Sequence, residues 1–185
     1  MNIDFLNPVL LACKKVLTNR AELELQIGKP YNRDPLDPVS GRCITGLITM
    51  HGGNRRASLA IIFSETVLIA IAAKMLPEKT TSLDSVAIDL VGELSSMILG
   101  NVKGLLEDEG YQFEMSFPTM IVGYDYIITH HTKSPIFRIP YASPSGAFHV
   151  EVSFEGPNLS DKEIKAGAIC KKAKEGKGQS DIELF

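Results

Sequence analysis

Apolar residues fall at helical spacing in some stretches of this chain and at strand spacing in others. In NPVLLACKKVLTNR, Val9, Leu10, Cys13, Val16 and Leu17 share one helical face, with Asn7 and Pro8 as a start signal. KPYNRDPLDPVSG carries three prolines and predicts a loop. RCITGLITM and ASLAIIF predict two strands, joined into a hairpin by the turn-rich HGGNRR. Ser64 is placed to cap a helix over Glu65–Met75 that Pro77 closes, and a longer helix follows from about Leu83 to Leu106. FEMSFPTMIVG, DYIITHHT, IFRIP and AFHVEVSFEG predict further strands, split by Gly, Pro and Ser. Helices and hairpins are grouped without βαβ alternation. That predicts an α+β sandwich, a largely antiparallel sheet packed against helices. From Asn158 onward the chain is charged and poor in core residues. We therefore expect one domain over residues 1–157 and a loose tail over 158–185, with a helical turn or two at most.

Composition narrows the setting. With 185 residues, 44% hydrophobic and 22% charged, the chain suits one ordinary domain that needs no disulfide staples. Cys13, Cys43 and Cys170 are widely spaced and odd in number, which predicts free thiols in a reducing compartment. The sequon at Asn158 is then a chance match. No uninterrupted apolar run reaches the ~18 residues of a membrane span; VLIAIAA stops at Lys74. The N-terminus lacks a basic start and a cleavage site. A cytoplasmic protein without a membrane segment is expected. A net charge of -3 gives no reason to expect nucleic acid as the partner.

The candidate chemistry lies on the long helix, DLVGELSSMILGNVKGLLEDEG. At about 100° per residue, Val86, Leu90, Leu94, Met97, Ile98 and Leu105 form its apolar sector. Asp89, Gly92, Glu93, Ser96, Gly100, Lys103 and Glu107 lie opposite. Glu93 and Ser96 are neighbours at i and i+3. A glycine inside a helix is unfavourable by about 1 kcal/mol against alanine, and on a wet face it leaves a flat spot that another surface can approach. An exposed Glu–Ser pair is commonplace and names no reaction by itself. Asn101 falls toward the core side, where an amide makes structural hydrogen bonds. His130 and His131 are adjacent on a predicted strand, point to opposite faces and cannot chelate together, so no metal site is expected. MHGGNRR lacks the Gly-Lys-Ser/Thr of a phosphate loop and reads as a hairpin turn. Cys43 packs inside as a small hydrophobe.

Glu93-Leu94-Ser95-Ser96-Met97-Ile98-Leu99-Gly100-Asn101-Val102-Lys103 resembles the signature helix of the CheC/CheX/FliY chemotaxis phosphatases, and CheX most closely. That helix reads Glu-x-x-Asn, often continued as Met-Ile-x-Gly-Asn-x-Lys. NPVLLACKKVL, SGRCITGLI, SFPTMIVGYDY and GAFHVEVSF look like the family's first helix, first strand and later strands, covering roughly Asn7 to Phe154. The resemblance implies a phosphatase acting on the phospho-aspartate of a CheY-like receiver domain. Glu93 would pair with a receiver lysine, and Asp89, Gly92, Gly100 and Lys103 would meet the partner. No cofactor would be bound by this chain; Mg would sit on the phosphorylated receiver. The family's water-positioning asparagine falls at Ser96, whose hydroxyl lies about one bond nearer the backbone. A misplacement near 1 Å can cost on the order of a hundredfold in rate. Two readings therefore stand: a phosphatase weakened at Ser96, or a receiver-binding signalling module without catalysis. A stand-alone dimeric domain with no receiver partner is a third. No second Glu-x-x-Asn occurs in the first helix, since Val16 stands three before Asn19. That matches the single site of CheX and, by analogy, a homodimer.

Overall fold

The computed structural model describes residues 3–76, 82 and 84–157. Its elements run α1 (Ile3–Ala21), β1 (Gln26–Ile27), β2 (Tyr31–Arg33), β3 (Val39–Gly52), β4 (Arg55–Ser64), α2 (Glu65–Met75), α3 (Ser85–Asp108), β5 (Glu114–Met115), β6 (Thr119–Tyr126), β7 (Ile136–Ser143) and β8 (Gly146–Glu155). The strands form one sheet in the order β1-β7-β8-β4-β3-β5, with β2 also on β7 and β6 also on β3. Every pairing is antiparallel. The expected α+β architecture is what the chain adopts.

The helices pack on one face of that sheet. Ile44, Ile48, Ile61, Phe63, Phe148, Val150 and Val152 meet Val9, Leu17, Leu68, Ile71, Leu94 and Ile98 in one buried core. An aromatic cluster of Phe5, Tyr111, Phe113 and Phe154 pins the start of α1 to the end of α3, mostly edge to face. This anchoring explains why α1 begins at Ile3 rather than at the predicted Asn7–Pro8 start. Pro8 lies inside the helix and removes one backbone bond, while the burial of Phe5, Leu6 and Val9 around it holds the turn.

Other expectations need correction. KPYNRDPLDPVSG is not all loop: it contains β2 and the start of β3. In DYIITHHT only Asp125 and Tyr126 are strand; Asp125 takes a left-handed φ of 47° and the segment turns away. Ser64 stands at the start of α2, but its hydroxyl bonds Ala147 O at 3.0 Å instead of capping a helical N–H. Val86 is half exposed, not core; of the expected apolar sector Leu90, Leu94 and Ile98 are buried, and the buried side of α3 extends further round, to Val91, Ser95, Leu99, Val102 and Leu106. The hairpin is as expected, with Gly53 at φ 58° in its turn. Pro77, the sequon, Cys170 and the tail lie outside the described residues.

α3 starts at Asp84, whose carboxylate accepts from Ala87 N at 2.9 Å. The helix then lies unusually close to β3. A Cβ on Gly46 would come 2.1 Å from Ser95 Oγ and 3.0 Å from Ser95 Cβ. Glycine at 46 is what lets the two backbones approach. Ser95 is fully buried there, and its hydroxyl has no partner among the described residues.

The face of the sheet away from the helices carries a small apolar cluster of Val39, Cys43, Ala60, Ile62 and Ile128 and, beside it, a buried cluster of charge. Glu151, fully buried on β8, receives Arg138 Nε at 2.9 Å and lies 3.0 Å from His130 Nε2. Arg33 Nε approaches the same carboxylate at 3.0 Å without hydrogen-bond alignment. Arg138 also bonds Asp37 at 3.0 Å, and His130 Nδ1 pairs with Ser58 Oγ at 2.8 Å. Burial alone would raise the pKa of Glu151. The hydrogen bond with His130 and the two guanidinium groups outweigh it and hold the carboxyl below its ordinary value. Cys43 and Cys13 are both buried free thiols, and burial pushes Cys13 up to about 12.

Candidate functional site

Asp89, Glu93, Ser96 and Gly100 form a solvent-facing stripe along α3. The spacing of i, i+4, i+7 and i+11 follows directly from 3.6 residues per turn. Gly92 and Lys103 flank it, partly covered, and Lys103 Nζ sits 3.8 Å from Glu107. Asp89 and Glu93 have no hydrogen bond or ion pair among the described residues, so Glu93 presents an uncommitted carboxylate. Ser96 Oγ donates to Gly92 O at 2.9 Å. The hydroxyl proton is thereby spent on its own helix, while the oxygen keeps lone pairs that can accept from a water.

Two surfaces border the stripe. On one side runs β6, where Met120, Val122 and Tyr124 share the helix-bearing face with Gly46, Ile44 and Arg42. A Cβ at Gly92 would reach Met120 Sδ at 3.9 Å, an ordinary contact. At Gly100 nothing among the described residues lies within 4 Å. Neither glycine is demanded by packing, in contrast to Gly46. On the other side lies α1. Asn101 Nδ2 donates to Met97 O at 2.9 Å, a structural bond as expected, though to its own helix rather than beneath it. Asn101 faces α1, away from Ser96.

Elsewhere the chemistry is sparse. Among the described residues no group of three or more His, Cys, Asp or Glu is placed to hold a metal. His130 is committed to the buried charge cluster and His131 is exposed. Among the described residues α3 alone, by length and a mean hydropathy of 1.3, is apolar enough to cross a membrane. Here its apolar side packs on the sheet and α1.

The family described as chemotaxis phosphatase CheX matches residues 44–142, more than half of the chain and all of the α3 stripe. The chain belongs to the CheX family. The fold supports the same assignment. A CheC-like protein from Shewanella sp. PV-4 superposes with a TM-score of 0.78 at 40% identity, covering 84% of this chain and 100% of that one. CheX from Vibrio vulnificus gives 0.76 at 33% identity, covering 82% and 99%. A Borrelia burgdorferi CheX, solved in complex with CheY, BeF3 and Mg2+, shares the fold at 0.67 with 20% identity, covering 84% and 100%. No curated protein sequence matches. Within this CheX-family chain the stripe brings Asp89, Glu93, Ser96 and Gly100 onto one accessible line, while Asn101 stands apart. The Gly46–Ser95 contact that seats the stripe went unread in the sequence. A glycine amid strand-forming residues was its sole signal.

Proposed function

We propose that this chain docks on the phosphorylated receiver domain of a CheY-like response regulator through the α3 stripe, and hydrolyses its aspartyl phosphate slowly. The observation that carries this reading is the pairing of an uncommitted Glu93 with Ser96 at the motif positions, beside helix surface that Gly100 leaves bare. The Borrelia CheX bound to CheY, BeF3 and Mg2+ supports the choice of partner by analogy. Glu93 pairs with a receiver lysine. Mg2+ stays on the receiver. Ser96 Oγ accepts a hydrogen bond from a water and holds it in line with the scissile bond. The water oxygen bonds to phosphorus, the aspartyl P–O bond breaks, and the receiver carboxylate and inorganic phosphate leave, the phosphate taking the water's protons. Catalysis of this kind is mainly positioning, so the shorter reach of serine lowers the rate. By the same resemblance the chain acts as a cytoplasmic homodimer.

One observation favours a second reading, docking without hydrolysis: Ser96 Oγ is already engaged with Gly92 O. The test follows acyl-phosphate decay on CheY-like receivers with the natural chain, Glu93→Ala and Ser96→Asn. Faster decay with the natural chain, lost in Glu93→Ala, supports the phosphatase. Faster decay with Ser96→Asn alone supports the binding module. No effect from any of the three refutes hydrolysis, and the binding module is then refuted if the natural chain shows no affinity for the receivers.

A further inference from the structure

Between α1 and α3 lies an open groove of about 430 Å3, lined by Lys15, Val16, Asn19 and Arg20 of α1 and by Met97 and Asn101 of α3. Val16 and Met97 give it an apolar floor, and two cations and two carboxamides give it polar walls. Among the described residues no carboxylate lines it. Lys15 and Arg20 have no ion pair among the described residues, whereas Arg42, Lys103, Arg33 and Arg138 each lie against an acidic side chain. Arg20 lies in the last turn of α1, where a cation also complements the helix dipole. That accounts for Arg20 alone; Lys15 lies more than a turn earlier. On a chain of net charge -3, this groove is a local excess of positive charge.

The groove opens onto the stripe. Met97 and Asn101 directly follow Ser96 and Gly100 along α3. Among the described residues nothing lies within 4 Å of where a Cβ would stand at Gly100 or at Gly104. No side chain therefore separates the two surfaces at those positions, and a body seated on the stripe reaches the groove without a barrier.

We propose that the groove receives an acidic segment of the same receiver, an Asp- or Glu-bearing loop whose carboxylates meet Lys15 and Arg20 while Asn19 and Asn101 donate from the side. This rests on the reading that α3 docks a receiver. It makes α1, which lacks the signature motif, the element that selects among receivers by their charge.

The test measures the affinity of the full chain for CheY-like receivers loaded with BeF3 and Mg2+, over a range of salt. The proteins are the natural chain, Glu93→Ala, and the double variant Lys15→Ala/Arg20→Ala. All three substituted side chains are exposed, and circular dichroism melts confirm folding. The expected result is roughly three- to thirtyfold weaker binding by the double variant at low salt, with a flatter salt dependence. If Glu93→Ala weakens binding and the double variant binds like the natural chain at every salt concentration, the groove proposal is wrong and the stripe stands. If the natural chain binds no receiver, the stripe reading fails and takes the groove with it.

Discussion

The closeness of α3 to the sheet can be tested through Gly46→Ala. The added methyl would sit 2.1 Å from Ser95 Oγ and 3.0 Å from Ser95 Cβ. Rotation of the serine hydroxyl relieves the first contact, but the second is with a rigid carbon. The helix must then lift by some tenths of an ångström, or up to roughly 1 Å if the hydroxyl stays where it is. Overpacking of this kind costs about 1–3 kcal/mol, which for a chain of this size lowers the melting temperature by roughly 3–10 °C. Ser95→Ala behaves differently. It deletes a buried hydroxyl with no partner, so it is expected to be neutral or mildly stabilising. In the Ser95→Ala background the cost of Gly46→Ala should fall by about 1 kcal/mol, because only the 3.0 Å contact remains. Thermal and urea unfolding of the four proteins read the coupling directly. No cost of Gly46→Ala in either background would refute the seating of α3 described above; equal costs in both would show that the Ser95 hydroxyl turns clear and that the carbon contact alone resists.

The remaining predictions concern the stripe and the charged face. Gly100→Ala should raise stability by about 0.5–1 kcal/mol, since the site is helical and open. If Gly100 is there for a partner's approach, the same variant should slow receiver dephosphorylation; a gain in stability with unchanged activity would remove that role. Ser96→Ala should leave the melting temperature within about 2 °C of the natural chain, because the bond it removes is a local back-bond. Glu151→Gln should be severely destabilising, by about 3–5 kcal/mol, because it leaves Arg33 and Arg138 without their shared buried carboxylate. In the natural chain the folded pKa of Glu151 is depressed below its reference of 4.5. The stability it contributes is therefore present above that value and lost as pH falls through the lower folded value, as urea midpoints at pH 3, 4 and 6 would show.

Much of this could be read from the pattern of residues, for identifiable reasons. β3 and β4 were legible because a Gly-rich turn separates two apolar runs, and α3 because its apolar positions recur over 24 residues. The stripe followed from that same period. The limits of α3's buried sector were misjudged because Val86 is apolar but half exposed, while Ser95 is polar but sits over Gly46. Tertiary packing chose between them, and side-chain type did not announce it. The charged face was hidden for a similar reason. Glu151 sits in a strand at a position where alternation allows either solvent or a buried partner, and its partners lie on β2, on β7 and in the segment after β6, far apart in sequence. The α1–α3 groove depends on two helices that meet only in three dimensions.

The independence of the stripe from everything beneath it has an evolutionary consequence. Among the described residues Ser96 bonds only to its own helix, and at Gly100 a side chain would meet nothing. Substitution at these two positions therefore costs the fold little, and mutation can explore them without endangering the scaffold. Gly46 and Glu151 have no such freedom. Across descendants of this chain, residues 46 and 151 should stay fixed wherever the architecture survives. Substitutions at 96 and 100 should instead track a change of partner or of chemistry, which makes those two positions the place to look when paralogues diverge.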